Sequence, residues 1–453
     1  MSQTKATVEG YTTTYIASLT ATQLAGWTAV ELGYLLTTQM AGLRSTQIAS
    51  LSTAQLSGLD STQLGALSTT AFPGFTSTQI KNLLPRRFAG FTADQLALLT
   101  TTQRAGLTTS ELAALSARQI DALTTTIIAA LTVGQVNGFT STQIGNFNAT
   151  TFGALTAEHI HGLTTTQVKG LSVVEIPNLT SAQLGGLTST QIRALTTGQL
   201  FALTTADMAG LTATQAGGLN TTQVKVLSTT QLNALSSVAI GALSSAQFFG
   251  LTSVQIAGLS TTAFSGVTST QLHSLTTTQA KGLSTTDLAA MTSAQVSGLV
   301  KNVIKALSTT QINSFSTTAF GALTSTQLSG LSGTDISALS TTNFSALTVM
   351  QLNRLTVAQI QSLSATNLGD LSTAQLPAFT ATVLGEMSDT QVAGLLSATV
   401  MPALSTVQIA ALSTTQVAAV SPGLLASLST NQVTGFTSSQ LAAMSQQQRN
   451  VLA

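Results

Sequence analysis

An apolar residue stands at every eighth position from Tyr11 to Leu395, without one insertion or deletion. Leucine holds most of these places, and Trp27, Phe75, Phe91, Phe139, Phe147, Val267, Met291, Phe315, Phe379 and Met387 hold others. A second apolar position follows five residues later, and Ser, Thr, Gln and Ala fill the rest. The octad reads L-[ST]-x-T-Q-[ILV]-x-[GA], with positions numbered one to eight from the leucine. One extra residue enters at Leu395-Leu396, and the pattern resumes at Leu404, Leu412, Val420, Leu428, Phe436 and Met444. Such regularity leaves no room for the long loops on which catalytic sites are usually built. It divides the chain into a lead-in at 1–10, an uninterrupted array at 11–395, and a continuation at 396–453 after the one-residue shift.

Position two identifies the element. It is almost always Ser or Thr, and Asp60, Asn148 and Asn220 stand in for them. These are the preferred helix N-cap residues, because a short side-chain oxygen accepts a bond from a free backbone N–H. Position five is mostly Gln, so each octad carries the capping box, in which the side chains of N-cap and N3 each satisfy the other's backbone N–H. Positions one and six then form the hydrophobic staple. Pro85 and Pro422 fall at position three, the first helical residue, where proline is welcome. Pro73, Pro177, Pro377 and Pro402 fall at position seven, where a continuing helix would lose a hydrogen bond. Each helix is therefore little more than one turn and depends on stacking for its stability.

The octads alternate. From Gly10 onward in steps of sixteen, position eight is mostly Gly, while the intervening class seldom has it. Glu31, Glu111, Glu175, Asp207, Asp287 and Asp335, all at position five, belong to one class. These differences predict an all-α solenoid of very short helices with two octads, sixteen residues, per coil. Glycine at position eight suggests a left-handed turn after the helix. Leu at position one and Ile or Leu at position six face the interior; positions three, four and seven face water. Coils at roughly 9 Å each would make an elongated rod on the order of 200 Å long. A β-solenoid with sixteen residues per coil is the alternative, favoured by the Thr and Ile content and by the position-seven prolines.

Composition narrows the function classes. Charged residues make up 6% of the chain and the net charge is +1, which gives no electrostatic footprint for nucleic acid or an anionic membrane. No apolar run approaches the ~18 residues of a membrane helix. The absence of cysteine excludes disulfides and thiolate metal sites. Residues Met1 to Gly10 lack the basic and apolar segments of a secretory signal, so export would follow another route. His159 and His161 lie two residues apart, a poor spacing for shared ligation on a helix. His159 replaces the capping Gln, and His161 and His273 occupy the solvent-facing seventh position. The acids are scattered singly, and Asp335 and Asp370 have no partner base. Lys301 with Lys305, and Arg86 with Arg87, read as solvated faces. The expectation is no catalytic, cofactor-binding or metal-binding residue, and no enzyme.

The L-T-x-x-Q element resembles a motif of small periplasmic helical stress proteins, and implies no shared function. The tandem L-[ST]-T-T-Q-[ILV] array, over nearly the whole chain, resembles octad arrays in large bacterial surface or exported proteins, often termed adhesin-like. The resemblance implies a structural or adhesive role outside the cell or at its surface. Two functions compete. One is a rigid spacer or scaffold that associates with further copies or flanking domains. The other is a binding module that presents regular Thr and Ser rows to a repetitive target such as a polysaccharide or ice.

Overall fold

The computed structural model describes residues 3–453. It is an all-α solenoid: 52 short α-helices and four 3-10 turns follow one another, and no strand occurs among the described residues. The β-solenoid alternative is therefore not supported. The chain divides into two compact units, Met1–Leu227 and Ser228–Ala453, and both repeat the same local geometry.

Each octad is one helical turn and one corner. In the helix Ser189–Ala194, Thr188 is the N-cap at φ −77° and ψ 160°, and Leu195 follows the last turn at φ −54° and ψ 136°. Positions three to eight are thus helical and positions one and two extended. The leucine N–H closes the turn by donating to the position-six carbonyl, as from Leu195 to Ile192 at 3.2 Å. Thr188 Oγ1 accepts from Gln191 N, and Gln191 Oε1 accepts from Thr188 N. The capping box read from the sequence is present in most octads. Leu36, Arg44, Leu84 and Val300 at position two make no side-chain cap bond, as their side chains carry no acceptor. The position-seven prolines convert their turns to 3-10 geometry, at Phe72–Gly74, Ile176–Asn178, Leu376–Ala378 and Met401–Ala403. Pro85 and Pro422 open their helices.

Positions one and six form the core, and almost every one is buried. Phenylalanine at position six usually accompanies a smaller residue at position five: Ala71-Phe72, Thr151-Phe152, Ala263-Phe264, Ala319-Phe320 and Asn343-Phe344. All of these side chains are buried, so the ring takes volume that glutamine fills elsewhere, as close packing requires.

The stacking period differs from the expected sixteen residues. Within each unit an octad packs on the octad three places later, as Ser189–Ala194 does with Ala213–Gly218. Side chains at position five bond main chain 28 and 31 residues earlier. One layer therefore takes about 28 residues, three and a half octads. A helical turn plus a two-residue corner redirects the chain by little more than a right angle rather than by half a circle. The sixteen-residue alternation has another origin, since octads three places apart always belong to unlike classes.

Glycine serves that unlike contact. No residue, glycine included, has positive φ among the described residues, so the left-handed turn is not formed. Instead the position-eight glycine lies on the first helical residue of an octad in the layer before. A Cβ added at Gly42 would stand 2.6 Å from the Thr13 carbonyl oxygen, and at Gly58, Gly74 and Gly90 it would overlap the main chain of Ala29, Ser45 and Ser61.

One boundary also differs from the sequence reading. Residues 3–10 already form an octad: Thr4 caps the helix Lys5–Glu9, Val8 is buried, and Gly10 ends it. The extra residue at 395–396 is absorbed at one corner, where both leucines are buried. Gln408 reaches back 29 and 32 residues instead of 28 and 31, and Gln432 returns to the ordinary spacing.

Candidate functional site

The recurrent polar site of this molecule is position five. The sequence assigns its glutamine to the cap alone, yet Gln103, Gln47, Gln95 and Gln199 are at most 1% exposed. A one-turn helix leaves its last carbonyls without partners inside the helix. The glutamine amide of a later layer supplies them. Gln191 Nε2 donates to Ile160 O at 2.8 Å, His161 O at 3.1 Å and Leu163 O at 2.8 Å. Gln79 binds Ile48 O and Leu51 O in the same way, as does Gln327 with Val296 O and Leu299 O. One side chain thus closes its own helix start with Oε1 and the previous layer's helix end with Nε2. The position-six carbonyl already takes the next leucine N–H, as Ile160 O does from Leu163 N, so the amide adds a second bond there and pairs the buried position-one carbonyl, which no main-chain N–H reaches.

Gln23 shows the contrast within the chain. It makes the capping bonds to Thr20, but no described layer precedes its own, and it is exposed. Burial of the glutamine accompanies the interlayer lock rather than the cap.

Substitutions at this position keep part of the arrangement. His159 is buried, takes the Thr156 N–H on Nδ1 at 3.2 Å and meets Leu131 O with Nε2 at 2.8 Å. Thr156 N can only donate and Leu131 O can only accept, so the ring carries its proton on Nε2. His159 therefore replaces both halves of the glutamine amide. Asn343 and Asn367 each reach one carbonyl, Ile312 O at 3.4 Å and Leu339 O at 3.1 Å.

Glu111 and Asp287 keep only the cap, whereas Glu31 also accepts the main-chain N–H of Gln3, 28 residues earlier. Glu111 Oε2 accepts from Thr108 N at 2.7 Å and Thr108 Oγ1 at 2.9 Å, while Oε1 is buried with no partner. Asp287 Oδ2 accepts from Ser284 Oγ at 2.6 Å, and Oδ1 is likewise buried without a partner. Burial pushes the Glu111 carboxyl up to about 7, against the opposing pull of the Thr108 bonds. Burial also raises that of Asp287. Asp335 has the ordinary cap bonds to Ser332.

The remaining sequence candidates are dispersed. His161 and His273 are exposed, and His161 Nδ1 lies 3.2 Å from Gly186 O. Lys301, Lys305, Arg86 and Asp370 are exposed as well, and Arg87 is half-buried. Among the described residues no three of His, Asp and Glu come together as metal ligands would. No described helix is long and apolar enough to cross a membrane. Outer positions three and four carry the hydroxyl groups, and adjacent layers meet there, as Thr13 Oγ1 does with Thr38 O at 3.2 Å.

Repeated caps, a repeated buried amide and a constant backward reach mark one module copied in tandem. Residues 176–205 and 227–261 match the ALTTAQ repeat. The two ALTTAQ stretches contain ordinary octads, among them Gln183, Gln191 and Gln199 with their interlayer bonds. Apart from the 3-10 turn at Ile176–Asn178 they share the geometry of the octads around them, so the similarity supports a repeat protein. No curated protein matches the chain.

Proposed function

We propose that this chain is a non-enzymatic structural repeat protein, a rigid spacer or scaffold working outside the cell or at its surface. The observation that carries this reading is the lock itself. The most regular polar group of the repeat is spent inside the molecule, joining layer to layer, rather than offered to a substrate. A solenoid in which each layer is bonded to the one before resists bending and extension along its axis. Polar but nearly uncharged outer positions suit a surface that keeps proteins apart. The same lock offers a route to self-association, because carbonyls at a layer face are matched by glutamine amides on any other copy's facing layer. An adhesive role for the outer face extends this reading.

The second reading is a binding surface for a repetitive target, a polysaccharide or ice. Adjacency of exposed positions three and four across layers favours it. Frequent Ser, Ala and Val among those positions break the rows and make it the weaker of the two.

Small-angle scattering on the purified chain tests the first reading. Each unit holds about eight layers of roughly 28 residues, so at 8–10 Å per layer it spans roughly 65–80 Å. A particle no longer than roughly 60 Å, the diameter of a compact sphere of this chain length, would refute a spacer. Glycan-array binding or thermal hysteresis at micromolar protein would instead establish the second reading.

A further inference from the structure

We propose that Glu111 and Asp287 are proton-operated locks: each holds its layer to the one before only while its orphaned carboxyl oxygen carries a proton. The argument begins with positional equivalence. Both residues stand at position five, and the amide nitrogen of a glutamine there bonds the carbonyls 28 and 31 residues earlier. For Glu111 these belong to Leu83 and Ile80, and for Asp287 to Leu259 and Ile256. In both acids one oxygen is engaged by the N-cap residue and the other is buried without a partner. An ionised carboxylate has no donor for a carbonyl, whereas a carboxylic acid has one. Asn343 and Asn367 demonstrate that a side chain with a single short donor bonds the earlier layer from this position.

Nothing nearby neutralises the charge instead. Around Glu111 the neighbouring and packed helices carry Lys81, Arg86, Arg87, Arg104, Arg118 and Asp121, and Val133–Val136 carries no titratable group. Among the described residues none of these makes an ion pair with Glu111. Around Asp287 the helices Ser253–Ala257, Thr261–Ser265, Ser293–Val296 and Thr309–Asn313 carry none, and the nearest charge in sequence is the exposed Lys281. Burial favours the neutral form of each acid, in agreement with the raised Glu111 carboxyl near 7 and the raised Asp287.

The sign follows from linkage. Below the ordinary glutamate range, near 4.5, the group is protonated in both open and closed forms. As pH rises from there to about 7, the open form loses its proton first and the layer weakens. Above that value the loss is complete. Hydrogen exchange on the whole chain, corrected for intrinsic rates, tests this at residues 80–88 and 108–115 and at residues 256–264 and 284–291. Wild-type protection at the Glu111 layer is expected to fall by up to roughly 300-fold between about pH 4.5 and 7.5. Glu111→Gln, which restores the commonest residue of the repeat, is expected to hold its protection across that range, and Asp287→Asn to do so at its own layer. Parallel losses in wild type and variants would overturn the proposal. So would wild-type protection at pH 8 that rises with added sodium or calcium, since a cation would then be holding an ionised carboxylate.

Discussion

Replacing Gln191 by leucine, set against the same change at Gln23, separates the interlayer lock from the cap. The substitution removes Nε2 bonds to Ile160 O and Leu163 O, both 2.8 Å, a longer one to His161 O at 3.1 Å, and the Oε1 bonds from Thr188 N at 2.7 Å and Thr188 Oγ1 at 3.0 Å. The three shortest of these at about 1 kcal/mol each give about 3 kcal/mol. Stranded carbonyls raise this cost, and the apolar surface that leucine buries lowers it by a similar amount. The control is Gln23→Leu, which loses capping bonds at an exposed site and should cost about 0.5–1 kcal/mol. Repeat arrays open locally rather than all at once, so the measurement is hydrogen exchange across residues 156–164 and 187–195. A cost of about 3 kcal/mol speeds opening roughly 100-fold, against a few-fold near Gln23. Equal effects at the two sites would mean that the interlayer bonds add nothing to the capping box, and the stacking argument would fail.

Other substitutions test other parts of the octad. Gly58→Ala places a methyl against the Ala29 main chain and should cost about 1–3 kcal/mol of local stability. Gly185→Ala, with nothing within 4 Å of the new Cβ, should stabilise its helix by about 0.5–1 kcal/mol; denaturant titration of the two variants gives opposite shifts. Val300→Thr supplies the cap oxygen that this helix lacks and should add about 1 kcal/mol, read as slower exchange of residues 301–306. His159→Gln should leave stability within about 0.5 kcal/mol, while His159→Leu loses the bond to Leu131 O and should cost about 1–2 kcal/mol. Equal thermal unfolding of the two His159 variants would remove the histidine from the lock.

The short helices were legible because their determinants are local. Thr188 and Gln191 signal a helix start from within one octad, and the four position-seven prolines mark the turns that become 3-10. The layer period was not legible in the same way. It depends on the angle between successive octads, which arises from corner dihedrals at residues such as Leu195, and no residue type encodes that angle. The sixteen-residue alternation was real, but it records which octad faces which rather than the length of a coil. Gly58 illustrates this: its partner is the main chain of Ala29, so the reason for glycine sits in another layer, while within its own octad it resembles a turn residue. Glutamine was half legible. Its Oε1 acts within the octad and is visible in the capping pattern, whereas its Nε2 acts on the layer before, beyond the reach of any local pattern. The near absence of Lys and Arg at position five is the sequence signal of a buried site there. The octad at 3–10 is obscured in the sequence because Gln3 and Thr7 stand where leucine and glutamine are expected.

A layer of about 28 residues is not a whole number of octads, and this mismatch shapes how the solenoid holds together. Gln191 bonds Ile160, at position six of the octad four places back, and Leu163, at position one of the octad three places back. Each lock therefore straddles a corner of the layer before and ties two octads at once. With three or four octads per layer, the locks would line up in columns above identical corners. With three and a half, successive layers are offset by half an octad, so a corner left without a lock lies between neighbours that keep theirs. This explains how the array accommodates Ala71, Ile127, Ala263 and Val383 at position five, none of which has a side-chain donor. It also explains the insertion at 395–396. One added residue changes the reach of Gln408 to 29 and 32 residues, still straddling a corner at Leu376 and Phe379, so the offset stacking continues where a column in strict register would have broken.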